Sequence, residues 1–130
     1  MTISNINTLK HFISQNQLAL TLALTAGEEG EFFTQKLKEI EHTIDTMPKT
    51  YETDGQGYNA TAYLRYFHSC GFYCYITERD IEEDQYQAFG YVNLGSGELG
   101  YVSIEELIQN DFELDYHFTP TPLNEIEECQ

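Results

Sequence analysis

Apolar residues in the first third of the chain recur at helical spacing. Ile6, Leu9, Phe12 and Ile13 follow a polar Ser4-Asn5 start and predict a first helix. A second, short helix is expected over 17–26, stopping at Gly27. The clearest signal lies over 28–47, where Phe33, Leu37, Ile40, Ile44 and Met47 form one apolar stripe. Glu28, Glu29 and Glu31 are placed in the first turn of this helix, where carboxylates complement its dipole. Pro48 ends it. Together these segments read as a helical hairpin that packs one face onto whatever follows.

Beyond Tyr51 the period changes from helical to alternating. TDGQG, at 53–57, is turn chemistry. Ala62, Leu64 and Tyr66 then alternate with Tyr63, Arg65 and Phe67, which predicts a strand. HSCG (68–71) is the turn into a second strand over 72–77. The acidic stretch 78–85 is expected to be a loop, and 86–92 a third strand. Gly95 and Gly97 mark another turn. Ser103 is the expected N-cap of a short helix over 104–109 with Glu105 and Glu106 in its first turn, a capping-box pattern. Phe112, Leu114, Tyr116 and Phe118 alternate with Glu113, Asp115 and His117 in a last strand before TPTPL. The expected fold is α+β: an N-terminal helical hairpin packed on a small antiparallel sheet of three to five strands, with one inserted short helix. A single domain is expected over 1–130, its helical part at 1–47 and its sheet part at 48–130.

Composition agrees with a folded chain: 41% of residues are hydrophobic, including eight Phe and ten Tyr. The longest apolar-rich stretch, 18–26, is interrupted by Thr21 and Thr25 and is too short to cross a bilayer. The first residues lack the basic and apolar runs of a signal peptide, and three cysteines without framework spacing suit a reducing compartment. The expectation is a soluble, cytoplasmic protein.

Charge changes the picture most. The net charge is −16, and its distribution is uneven. Residues 1–79 hold nine acids and all six bases, a net −3; residues 80–130 hold thirteen acids and no base, a net −13. Such a field repels DNA, RNA and anionic membranes, so direct nucleic-acid or membrane binding is not expected.

From Met47 onward the motifs MPKTYETDGQG, AYLRYF, YITERD, QAFGYV, ELGYVSIEEL and ELDYHFTPTPL occur in this order. In them the chain resembles an uncharacterised domain family found mainly on plasmids, phages and integrated elements. The preceding GEEGEFF helix resembles an N-terminal extension of some members. The resemblance implies a mobile-element origin and DNA-processing neighbours, and it carries no catalytic residues. Where the family usually has Trp-Tyr before I-T-E, this chain has Cys74-Tyr75, which points to core packing rather than ring stacking there.

Catalytic signatures are absent: there is no G-x-S-x-G, Walker loop, H-E-x-x-H or dinucleotide fingerprint. Cys70 near His68 is a conceivable thiol nucleophile, but nothing in the sequence orients the His. His68, Cys70 and Cys74, with His117, do not follow a standard zinc spacing, and the small apolar Cys74 suits a strand interior. The glycines of DGQG and LGSGELG neighbour Asp54 and Glu98 rather than Lys or Arg, so they read as turn glycines and not a phosphate cradle. No cofactor or metal is expected, and the chain reads as non-catalytic.

The acidic surface is the remaining candidate. Duplex DNA carries about one negative charge per 1.7 Å of axis, and carboxylates held in rows imitate that field. The expected contact residues are Glu82, Glu83, Asp84, Glu98, Glu105, Glu106, Asp111, Glu113 and Asp115. The expected partner is a basic nucleic-acid-binding protein, such as a Cas or restriction effector, blocked by a DNA-mimic inhibitor of anti-CRISPR or anti-restriction type. The alternative is a non-catalytic interaction module for plasmid or phage DNA processing, with the helical hairpin or the aromatic sheet face making the contact.

Overall fold

A computed structural model describes residues 6–80 and 86–130. Three helices come first: α1 (Ile6–Phe12), α2 (Gln15–Leu24) and α3 (Gly30–Thr46). Ser14 caps α2, its Oγ accepting from the Gln17 N–H at 3.3 Å. Gly30 opens α3 because its Cα lies against the Thr25 carbonyl, where a Cβ would sit 2.1 Å from that oxygen. Of the expected stripe, Leu37, Ile40, Ile44 and Met47 are buried. Only Glu31 of the three glutamates stands in the first turn of α3, since the helix starts later than its apolar period implies. At its other end Arg79 reaches the orphan Ile44 carbonyl, its Nε donating at 2.6 Å.

The strands are β1 (Thr61–Ala62), β2 (Leu64–Phe67), β3 (Tyr73–Arg79), β4 (Gln87–Asn93) and β5 (Gly97–Ser103). After α4 (Ile104–Gln109) come β6 (Glu113–Leu114) and β7 (Thr121–Pro122). Five of these form an antiparallel sheet in the order β5-β4-β3-β2-β6, while β1 pairs with β7. The α+β architecture with its N-terminal helical part and inserted α4 is as expected.

Three local expectations are corrected. The stretch 78–85 does not begin as a loop: β3 runs on to Arg79, past an irregularity between Ile76 and Glu78. Residues 97–103 form a full strand, β5, where the glycines alone imply only a turn. The last alternating stretch is a strand only over Glu113 and Leu114; the Asp115 N–H still reaches the Arg65 carbonyl at 2.8 Å, and Asp115 then turns the chain by accepting the His117 N–H at 2.9 Å.

Alternation along the strands divides the apolar residues between two faces. Leu64, Tyr66, Cys74, Ile76 and Ala88 face the helices and pack with Leu9, Ile13, Leu37, Ile44, Ile104 and Leu107. Ala62, Tyr75 and Tyr91 face the other way, under Leu123, Ile126 and Cys129 from two C-terminal 3-10 turns. Gly90, in the middle of β4, lets the chain pass the Tyr75 carbonyl, which a Cβ would overlap.

Candidate partner-binding surface

The expected contact residues are placed on several elements. Glu82, Glu83 and Asp84 lie outside the described residues. Glu98 is exposed on β5 opposite Val92. Glu105 and Glu106 are exposed in the first turn of α4, where the Ser103 Oγ accepts from the Glu106 N–H at 3.2 Å. Asp111 is exposed just after α4 at φ 65°, and Glu113 is exposed on β6. Among the described residues no Lys or Arg lies within ion-pair reach of these five carboxylates.

Their order along the chain follows the fold across the sheet. β5 and β6 are its two edges, and α4 connects them. Four inter-strand spacings separate the edges, about 19 Å at ~4.8 Å each. By register Glu98, opposite Val92, lies on the helix-side face and Glu113, opposite Phe67 and Tyr73, on the other, so the five carboxylates are spread over α4 and both faces of the sheet rather than set in one row. Glu106 and Asp111 flank α4 on different sides. Glu106 lines a groove of about 340 Å³ with Phe72, Leu94, Val102 and Phe112. Asp111 lines a wider one of about 670 Å³ with Lys10, Ile13, Leu18 and Leu22.

Asp115 is placed differently. Its carboxylate meets the Arg65 guanidinium at 3.4 Å, and Arg65 also meets Glu128 at 3.1 Å and donates from Nε to the Tyr75 hydroxyl at 2.9 Å. Arg65 lies over the rings of Phe67, Tyr73 and Tyr75 as well. Burial alone lowers the guanidinium pKa, but the Tyr75 and Glu128 contacts outweigh it and the net direction is upward. Burial, reinforced by Glu128, pushes the Tyr75 phenol up. Asp115 and Glu128 are thus part of the seal that holds the C-terminal turns onto the sheet. Distance in sequence hid this: Arg65 is 50 residues from Asp115 and 63 from Glu128.

Glu78, not singled out in the sequence, is buried. Its carboxylate accepts from the Tyr51 N–H at 2.9 Å, from the Thr53 N–H at 2.8 Å and from the Thr53 hydroxyl. Three donors offset the desolvation of the charge. They also pin Tyr51, which stands at φ 71°, a left-handed conformation that tyrosine adopts only under constraint. Tyr51 is exposed, as is Tyr101 of β5, which packs edge-on to Phe89 at 5.0 Å.

Cys70 is exposed in the 68–71 turn, while Cys74 is buried in the helix-side core. The His68 Nδ1 accepts from the Cys70 backbone N–H at 3.0 Å, so that nitrogen is engaged by the turn itself. Burial pushes the Cys74 thiol up to about 11, the opposite of an activated thiolate. Among the described residues no three His, Cys, Asp or Glu side chains converge as a metal site. No helix among them is long and apolar enough to cross a membrane. In comparisons with known proteins, the chain matches no family profile, no curated protein and no solved structure.

Proposed function

We propose that the protein is a non-catalytic, cytoplasmic inhibitor that uses its carboxylate surface as a nucleic-acid mimic against a basic nucleic-acid-binding protein. The observation that carries this reading is the set Glu98, Glu105, Glu106, Asp111 and Glu113: exposed, without a Lys or Arg partner among the described residues, and held on or beside hydrogen-bonded strands and a capped helix. Fixed charges present a field without the ordering cost that a flexible acidic tail would incur on binding. Solubility alone does not require a base-free run of 51 residues. The motif resemblance to a mobile-element family supplies the anti-defence setting, a Cas or restriction effector being the partner class.

The test is a pull-down from a host carrying such systems, with and without competitor duplex DNA, using wild type and the variant Glu98→Gln/Glu105→Gln/Glu106→Gln/Glu113→Gln. A captured effector that is displaced by DNA and by 0.5 M salt, and lost in the variant, is the expected result. Capture that ignores all three refutes mimicry.

One observation favours the accessory-module reading. α2 carries no charged residue, yet its Leu20 is 65% exposed, and Leu24 and Phe32 nearby in sequence are also exposed. A partner held through this face would survive the glutamine variant and be lost in Leu20→Glu.

A further inference from the structure

The two edges of the sheet are finished in different ways. At β6 the Gln17 side chain acts as a surrogate strand: its Nε2 donates to the Leu114 carbonyl at 2.8 Å, and its Oε1 accepts the Leu114 N–H at 2.9 Å. At β5 nothing comparable is present among the described residues. The strand pairs with β4 over seven successive residues without a register shift. Its sequence, GELGYVS, has no Pro, Lys or Arg and a single charge, Glu98, so of the usual devices that blunt an edge only one carboxylate is present.

The direction of the open groups follows from the ladder. The Ile104 N–H donates to the Tyr86 carbonyl at 2.9 Å, opposite each other in the same register as Gln87 and Ser103. Alternation in an antiparallel pair then turns the amides of Val102, Gly100 and Glu98 toward β4. Those of Ser103, Tyr101, Leu99 and Gly97 point outward.

We infer that the β5 edge is a strand-docking site for an extended, cationic segment of the partner protein. Charge selects this occupant over a second copy, because two β5 edges would bring together two chains of net charge −16. An added strand has one set of side chains beside Tyr101 and Leu99, where Arg or Lys meets a tyrosine ring. Its other set falls beside Glu98 and Val102. There Gly100 leaves an open shelf, with no atom within 4 Å of the place a Cβ would occupy, and the groove holding Phe72, Leu94 and Glu106 follows. A strand alternating basic and apolar residues fits these two strips in either register, its charges meeting the Tyr101 ring or the Glu98 carboxylate, and main-chain pairing supplies affinity without a fixed sequence. The inference rests on the proposed function for the partner's positive charge and adds how that partner is gripped.

The probe is a twelve-residue peptide alternating Lys and Val, added to the full chain at low salt with amide exchange followed by NMR. The Leu99 and Tyr101 amides are expected to exchange fast in the free protein and to slow at least about tenfold with peptide, as hydrogen-bonded strand amides do. Tyr101→Pro, which removes an outward N–H, is expected to weaken the peptide at least about tenfold relative to Tyr101→Ala, which keeps it. Peptide that binds with the Leu99 and Tyr101 amides unchanged overturns edge docking while leaving the acidic-mimic reading intact. Failure of the peptide to bind at low salt overturns it as well. The mimic reading fails separately, when effector capture is indifferent to DNA and to the glutamine variant.

Discussion

On the helix side of the sheet, Leu64, Cys74 and Ile76 meet Leu9, Leu37 and Ile44 in an aliphatic core whose main polar tie is the Tyr66 hydroxyl donating to the Phe12 carbonyl. On the opposite side, Tyr75 and Tyr91 lie under short 3-10 turns, and Arg65 bridges Asp115 and Glu128 at the border. The same strand feeds both: β2 sends Leu64 and Tyr66 one way and Arg65 and Phe67 the other. The first face is closed by apolar area, which is non-directional and tolerant of detail. The second is closed by geometry, with each carboxylate in its seal withdrawn from the pool available to a partner. Charge counted along the sequence therefore overstates the charge presented outward.

This contrast predicts a hierarchy of sensitivities. Ile76→Ala, emptying a fully buried site on the helix side, is expected to cost about 3–4 kcal/mol in urea unfolding. An equal loss from Cys129→Ala on the other face would erase the distinction. Glu78→Gln, which puts an amide donor against the Tyr51 and Thr53 N–H groups, is expected to cost about 2 kcal/mol and to speed exchange of both amides. Arg65→Ala is expected to cost about 1–2 kcal/mol, discounted because the pairs are partly solvated. Its signature is faster exchange over 123–130 with the helix-side amides unchanged. A separate effect is alkaline. Burial raises the Cys74 and Cys129 thiols from 9.0 to about 11, with the Glu128 charge adding to the Cys129 shift. Because the folded state holds these protons more tightly, the stability they contribute is complete below pH 9 and is lost as pH rises toward 11. Thermal melts across that window are expected to show the fall, and Cys129→Ser to remove the outer-face share.

The helix-side face was the legible one. The stripe of α3, the turn at His68–Gly71 and the Ser103 cap of α4 each rest on contacts within a few residues, where period and capping chemistry act. What escaped has a common cause. In β5, Gly97, Glu98 and Gly100 interrupt the alternation that marks a strand, and pairing with β4 overrides them. Glu78 and Arg79 look like loop residues until Tyr51, Thr53 and the end of α3 are brought to them. The exposure of Glu105, Glu106 and Glu113 was readable from their alternation and helical positions. The capture of Asp115 by Arg65 was not, because it depends on a partner far along the chain.

The Gln17 clasp on Leu114 spans 97 residues, and the Tyr66 bond to Phe12 spans 54. Contacts of such separation impose a timetable on synthesis. α1 and α2 leave the ribosome well before the edge that Gln17 closes, which follows 97 residues later. Until then Leu18 and Ile13 lack part of their cover, and the nascent helices wait with apolar surface open to other chains. That interval makes the N-terminal helices the part of the chain most open to aggregation during synthesis.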